Sequence, residues 1–138
     1  MCWSMKLHAT TTQQYQTVTG YEDDWIEINA VRFTHSLMVL PEAAPAVWPV
    51  SSFEHLTASD FTAIADLEPD LVILGTGRRQ RFISPALIQG LLSRRIGVEC
   101  MDNQAACRTY NILMAEGRKV ALALILSEPT AATREQGD

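Results

Sequence analysis

Leu71-Val72-Ile73-Leu74-Gly75-Thr76-Gly77 is the stretch that decides the fold. Four consecutive large aliphatic residues suit a short strand buried on both faces, as in a parallel sheet covered by helices. The glycines end the strand and let the chain turn sharply. Downstream, Ser84-Pro85 reads as a helix start, with Ser as the cap and Pro at the first helical position. Leu87, Ile88, Leu91 and Leu92 form its apolar stripe, Arg94 and Arg95 fall in its last turn, and Gly97 ends it. Val98 to Met101 is a second strand. Asp102 or Asn103 caps a further helix carrying Ala106, Cys107, Tyr110, Leu113 and Met114 at helical spacing, and Gly117 closes it. Lys119 opens a last strand that runs to Leu126. The second half is therefore β-α-β-α-β, an order whose crossovers build a largely parallel sheet.

Upstream the pattern changes. Residues 6–23 are polar and read as an extended arm or weak edge strand. Trp25, Ile26 and Ile28 form a short strand, Asn29-Ala30 a turn, and Val31-Arg32-Phe33 the return strand. Thr34-His35-Ser36 interrupts it, Leu37 to Leu40 resumes it, and Pro41 ends it. Residues 41–52 carry three prolines and read as a connecting loop that Trp48 anchors on the core. Thr57 or Ser59 caps a short helix with Phe61, Ile64, Ala65 and Leu67 on one face, and Pro69 stops it. The fold class is α/β: one domain over residues 6–126 with a mixed central sheet, a hairpin-rich first half, and flexible termini at 1–5 and 127–138.

A length of 138 residues with 47% hydrophobic and 20% charged residues suits one globular domain. The longest apolar run, Val120 to Leu126, is too short to cross a membrane as a helix, so no membrane insertion is expected. The start lacks a signal-peptide pattern, Met5 is an alternative first residue, and a cytoplasmic address is the default. The three cysteines, Cys2, Cys100 and Cys107, match no zinc spacing and no disulfide framework; Cys100 and Cys107 read as small buried hydrophobes. The net charge of −5 hides an asymmetry. Residues 1–70 hold ten acids against Lys6 and Arg32; residues 71–138 hold nine bases against six acids. The overall acidity argues against nucleic-acid binding, while Arg78, Arg79, Arg81, Arg94 and Arg95 offer a local patch for an anion or an acidic protein surface.

Gly75-Thr76-Gly77 stands at the carboxyl end of a buried strand, the edge where α/β sheets bind ligands. Two readings stay open. The turn is a tight bend with solvated arginines, or Gly75, Thr76, Gly77 and Arg78 form an anion or small-molecule crevice. The third glycine of a dinucleotide fingerprint and the Lys of a phosphate loop are both missing. Arg108 and Asn111 on the last helix either help to line that crevice or, for Asn111, tie the helix to a neighbouring loop. His8, His35 and His55 have no partners at metal-ligand spacing, and Glu22-Asp23-Asp24 reads as a solvated turn. No catalytic set, metal site or cofactor is expected.

Three blocks carry a resemblance: Leu71–Gly77; Gly97-Val98-Glu99-Cys100-Met101-Asp102; and Ala105-Ala106-Cys107-Arg108-Thr109-Tyr110-Asn111-Ile112-Leu113 with Glu116-Gly117-Arg118. Together they resemble the Mth938-like domain family over about residues 6–126; Trp48 and the Ser36-Leu37 strand start also fit. The chain departs from that family at Ala30, where Gly is frequent, and at Asn103, where Thr or Ser is frequent. The resemblance implies a mixed α/β domain without established catalytic residues. Mitochondrial relatives include an assembly factor for respiratory complex I. It thus implies a non-enzymatic protein-interaction or assembly-accessory domain for a respiratory or other membrane-associated complex, with a protein partner. A small-molecule, anion or nucleotide binder is the alternative, and self-association a third possibility.

Overall fold

The computed structural model describes residues 15–126. The expected flexible ends, and the arm up to residue 14, lie outside the described residues. In chain order the elements are β1 (Val18–Glu22), β2 (Trp25–Ile28), β3 (Val31–Phe33), β4 (Leu37–Leu40), β5 (Ala43–Val47), α1 (Ala58–Ala65), β6 (Leu71–Gly75), α2 (Gln89–Leu92), β7 (Gly97–Met101), α3 (Asn103–Ala115) and β8 (Val120–Leu124).

The aliphatic run at 71–74 forms β6, which lies inside a five-stranded sheet of order β5-β4-β8-β6-β7. It runs parallel to both neighbours, β7 and β8. The first half adds β4 and β5 antiparallel, so the sheet is mixed. Both of its faces are covered. Val72 and Leu74 point to α1 and α2, where Trp48 and Phe61 meet edge to face at 5.8 Å. Ile73 points the other way, to Ala106, Cys107, Tyr110 and Met114 of α3 and to Ile26 and Ile28. The strands β1–β3 form their own antiparallel sheet on that second face.

The β2–β3 turn falls at Asn29-Ala30 as expected, with both residues at positive φ (49° and 71°). This is the backbone that a two-residue hairpin needs. Asn adopts it readily, but Ala30 carries the Cβ penalty.

Three local expectations are corrected. The proline-rich segment after Pro41 is not all loop: Ala43–Val47 pairs with β4 as an edge strand. Pro45 is tolerated there because an edge strand needs ladder bonds on one side only. The helix after Ser84 is one 3-10 turn, Pro85–Ile88, followed by the short α2. Its end is not set by Gly97, which already pairs with Leu71 in β7. Arg95 takes the left-handed position (φ 63°) instead. The Ile96 amide reaches the Leu91 carbonyl and the Arg95 amide the Leu92 carbonyl, both at 2.9 Å, closing a Schellman motif over the buried Leu91–Ile96 pair. Arg94 serves another helix: its guanidinium donates to the Ala65 carbonyl at the end of α1 (2.8 Å). Leu67, expected on the apolar face of α1, lies beyond it and is exposed.

The chain leaves β6 for α2 on one face of the sheet, and leaves β7 for α3 on the other. The carboxyl ends of these adjacent strands therefore diverge. In an open α/β sheet this is the point where ligand crevices form.

Candidate functional site

Gly75-Thr76-Gly77 sits at that divergence, and Asn103 at the start of α3 faces it. Asp102 provides the helix cap, with its carboxylate accepting from the Ala105 amide at 2.9 Å. Asn103 is thereby released for a different task, and it is buried. Its Oδ1 accepts from the Gly77 amide and its Nδ2 donates to the Ile125 carbonyl, both at 2.9 Å. Its own amide donates to the Gly77 carbonyl at 2.8 Å. One residue thus fastens the β6 turn, α3 and the end of β8.

Gly75 is what allows this approach. A Cβ there would lie 2.5 Å from Asn103 Oδ1 and 2.5 Å from Leu124 Cδ1. Gly77 needs its own freedom for a different reason, a φ of 106°. Thr76 is buried. Its amide donates to the Met101 carbonyl (2.8 Å), and its hydroxyl donates to the Arg79 carbonyl (2.7 Å) and accepts from the Arg81 amide (3.1 Å). The amides of Thr76 and Gly77, which an anion would need, are therefore engaged inside the protein.

The loop that Thr76 folds carries the arginines outward. A hollow of about 360 Å³ lies beside it, lined by Phe53, Glu54, Thr76, Gly77, Arg78, Arg79, Arg81 and Ile125. Arg78 pairs with Asp23 at 2.9 Å, and Arg81 pairs with Glu54 at 2.7 Å while its guanidinium stacks 4.4 Å from the Phe53 ring centre. The Arg81 hydrogen bond pulls the Glu54 carboxyl below its ordinary pKa. Burial, helped by Asp23, pushes the Tyr21 phenol up to about 12. Burial also raises the Cys100 thiol and takes Cys107 to about 12, which leaves both poor nucleophiles at neutral pH. Among the described residues no group of three or more His, Cys, Asp and Glu side chains stands close enough to hold a metal ion.

Of the residues singled out in the sequence, Gly75, Thr76, Gly77 and Arg78 come together at this strand end. Arg108 and Asn111 do not line the hollow. Asn111 lies two turns beyond Asn103, about 12 Å along the axis of α3. Its amide is spent on β1, where Oδ1 accepts from the Val18 amide and Nδ2 donates to the Val18 carbonyl, each at 2.9 Å. Arg108 is exposed on the same helix. The sequence left the cap open between Asp102 and Asn103; Asp102 takes it, and the bridging role of Asn103 is what sequence reasoning missed. The signal was present: Asp102 and Asn103 are two capping residues in a row, and a helix start needs one.

A family model described as a protein of unknown function (DUF498/DUF598) matches residues 18–125. The chain belongs to this family. Among solved structures, a Bordetella parapertussis protein is similar at 48% identity and a TM-score of 0.78, covering 83% of this chain and 98% of that one. A Bordetella pertussis protein described as a Mth938-like domain is 38% identical, with a TM-score of 0.74 over 86% of this chain and 90% of its own. The family fold expected from the sequence is thus confirmed. Among curated relatives, the bovine NADH dehydrogenase [ubiquinone] 1 alpha subcomplex assembly factor 3 is 32% identical over 110 residues, which is 78% of this chain. The chain spans only 59% of that relative's length. Among the described residues no helix is long and apolar enough to cross a membrane.

Proposed function

We propose that this chain is a non-enzymatic assembly-accessory domain that acts by protein contact during the building of a respiratory membrane complex, from the cytoplasmic side. The observation that carries the reading is the similarity to complex I assembly factors over 78% of the chain. The geometry of the strand end supports it. The turn that would cradle a small anion has the amides of Thr76 and Gly77 tied to Met101 and Asn103, which favours a packing role for Gly75-Thr76-Gly77 over the alternative of a small-ligand crevice.

Deleting the gene in its native host tests this. The expected result is reduced NADH–quinone oxidoreductase activity in membranes and incomplete complexes on native gels, both restored by the intact chain. Wild-type levels of every respiratory complex in the deletion strain would overturn the proposal.

A further inference from the structure

We propose that the loop Arg78-Arg79-Gln80-Arg81-Phe82 is the docking surface of this domain, and that its partner is an acidic protein segment bearing an apolar side chain. The inference rests on the assembly reading above and gives it an address on the molecule.

Phe82 is 81% exposed, the highest exposure among the described large apolar side chains. Its neighbour Ile83 turns inward and packs on the core, so the chain presents Phe82 while anchoring itself one residue later. The loop is held, not loose. Thr76 grips it at Arg79 and Arg81, and the Gln80 side chain donates to the Cys100 carbonyl at 3.4 Å. An exposed aromatic beside arginines on a held backbone is a composition that dominates binding energy at protein interfaces, and the held backbone reduces the ordering left to be done on binding.

The charge of the partner follows from the arginines. Arg78 has an 81% exposed side chain, and Arg79 makes no ion pair among the described residues. The surface already shows which groups the loop's guanidiniums take: Asp23 on Arg78 and Glu54 on Arg81, both carboxylates in the open. Exposed pairs of this kind are weak and exchange readily for a partner's carboxylates. Guanidinium forks take carboxylates in bidentate geometry, as they do phosphates. Anionic membranes are recruited by clusters of about four to eight basic residues, and this loop carries three, Arg78, Arg79 and Arg81. The 360 Å³ hollow beside Arg79 and Phe53 would take the partner's apolar side chain.

Site-specific photo-crosslinking tests the surface. The full chain carries p-benzoylphenylalanine in place of Phe82, or in place of Ile112 on α3 as the control, and is irradiated in native-host cells and in lysate. The expected result is a dominant adduct from position 82 to an Asp/Glu-rich segment of another protein. Its yield should fall roughly fivefold or more with Arg78→Glu/Arg79→Glu, and likewise at about 0.5 M salt, where screening is short-ranged. Both arginines are exposed, and an unchanged melting curve verifies the fold of that variant. An adduct to lipid, to a second copy of this chain or to a neutral or basic segment overturns the proposal, as does a yield indifferent to charge reversal. Protein adducts at 112 without any at 82 remove this surface and leave the assembly reading standing; no protein adduct at either position counts against both.

Discussion

Replacing Asn103 by Ala should unfold this domain far more easily than the loss of an ordinary helix cap. The cap itself survives, because Asp102 supplies it. What goes is the bridge between Gly77 and Ile125. The bond to the Gly77 amide is worth about 1 kcal/mol net, since that amide is half-buried and water can replace the lost acceptor. The Ile125 carbonyl belongs to a residue only 2% exposed, and stranding it costs about 2–3 kcal/mol. The sum is about 3–4 kcal/mol, or roughly 10–15 °C in melting temperature at this chain length. Urea titration followed by circular dichroism measures it. Asn103→Asp sharpens the test, because it keeps the shape and the acceptor for Gly77 but turns a second acceptor on the Ile125 carbonyl. Its deficit should be large at pH 7 and shrink towards pH 4, where the carboxyl gains the proton it needs to donate. Gly75→Ala, whose Cβ would press on Asn103 Oδ1, should cost less in the Asn103→Ala background than alone. A loss below about 1 kcal/mol for Asn103→Ala, or an Asp variant as stable as the parent at pH 7, would refute the bridge.

Three other outcomes follow from the same structure. Ala30→Gly relieves a left-handed alanine in the β2–β3 turn and should stabilise the fold by about 0.5–1 kcal/mol, measurable as a raised urea midpoint with an unchanged slope. Cys107 should resist iodoacetamide in the folded protein at pH 8 and react once urea unfolds it, with peptide mass spectrometry reading the modification site. Its folded pKa of about 12 stands above the ordinary value of 9.0, so the protonated thiol is the form the fold prefers. The associated stability is intact below about pH 9 and declines as pH rises towards 12, a window the raised Tyr21 shares; a denaturation midpoint flat from pH 9 to 12 would contradict this.

Much of this architecture is readable in the residues because local and tertiary preferences agree there. The 71–74 run has no polar residue, so only a strand covered on both faces suits it, and the structure gives it that place. Asn29 fixes the hairpin turn through its tolerance of positive φ. Where reading failed, tertiary bonds outweighed propensity. Alanines and Pro45 carry little strand preference, and β5 exists because β4 offers it a ladder. Gly97 invited a helix end, yet burial of Ile96 and Leu91 in the same core sets the closing turn two residues earlier and makes Arg95 accept the strain. That β1–β3 stand as a separate sheet depends on which face α3 leaves open, and no window of sequence records that. The candidate site divides in the same way. Its glycines and Arg78 were visible as a block. The roles of Asn103 and Asn111 depend on partners 22 to 93 residues away, which spacing along the chain does not encode.

Asn111 has a consequence beyond holding a helix in place. Its amide presents one acceptor and one donor to Val18, the same pair that the backbone of another strand would offer. Tyr110 adds a hydroxyl to the Gln16 carbonyl on the same margin. The helix thus occupies the seat that a fourth strand would take beside β1 and closes that margin of the small sheet. A folded domain gains from such a stop, since every open β margin is a template for unwanted growth.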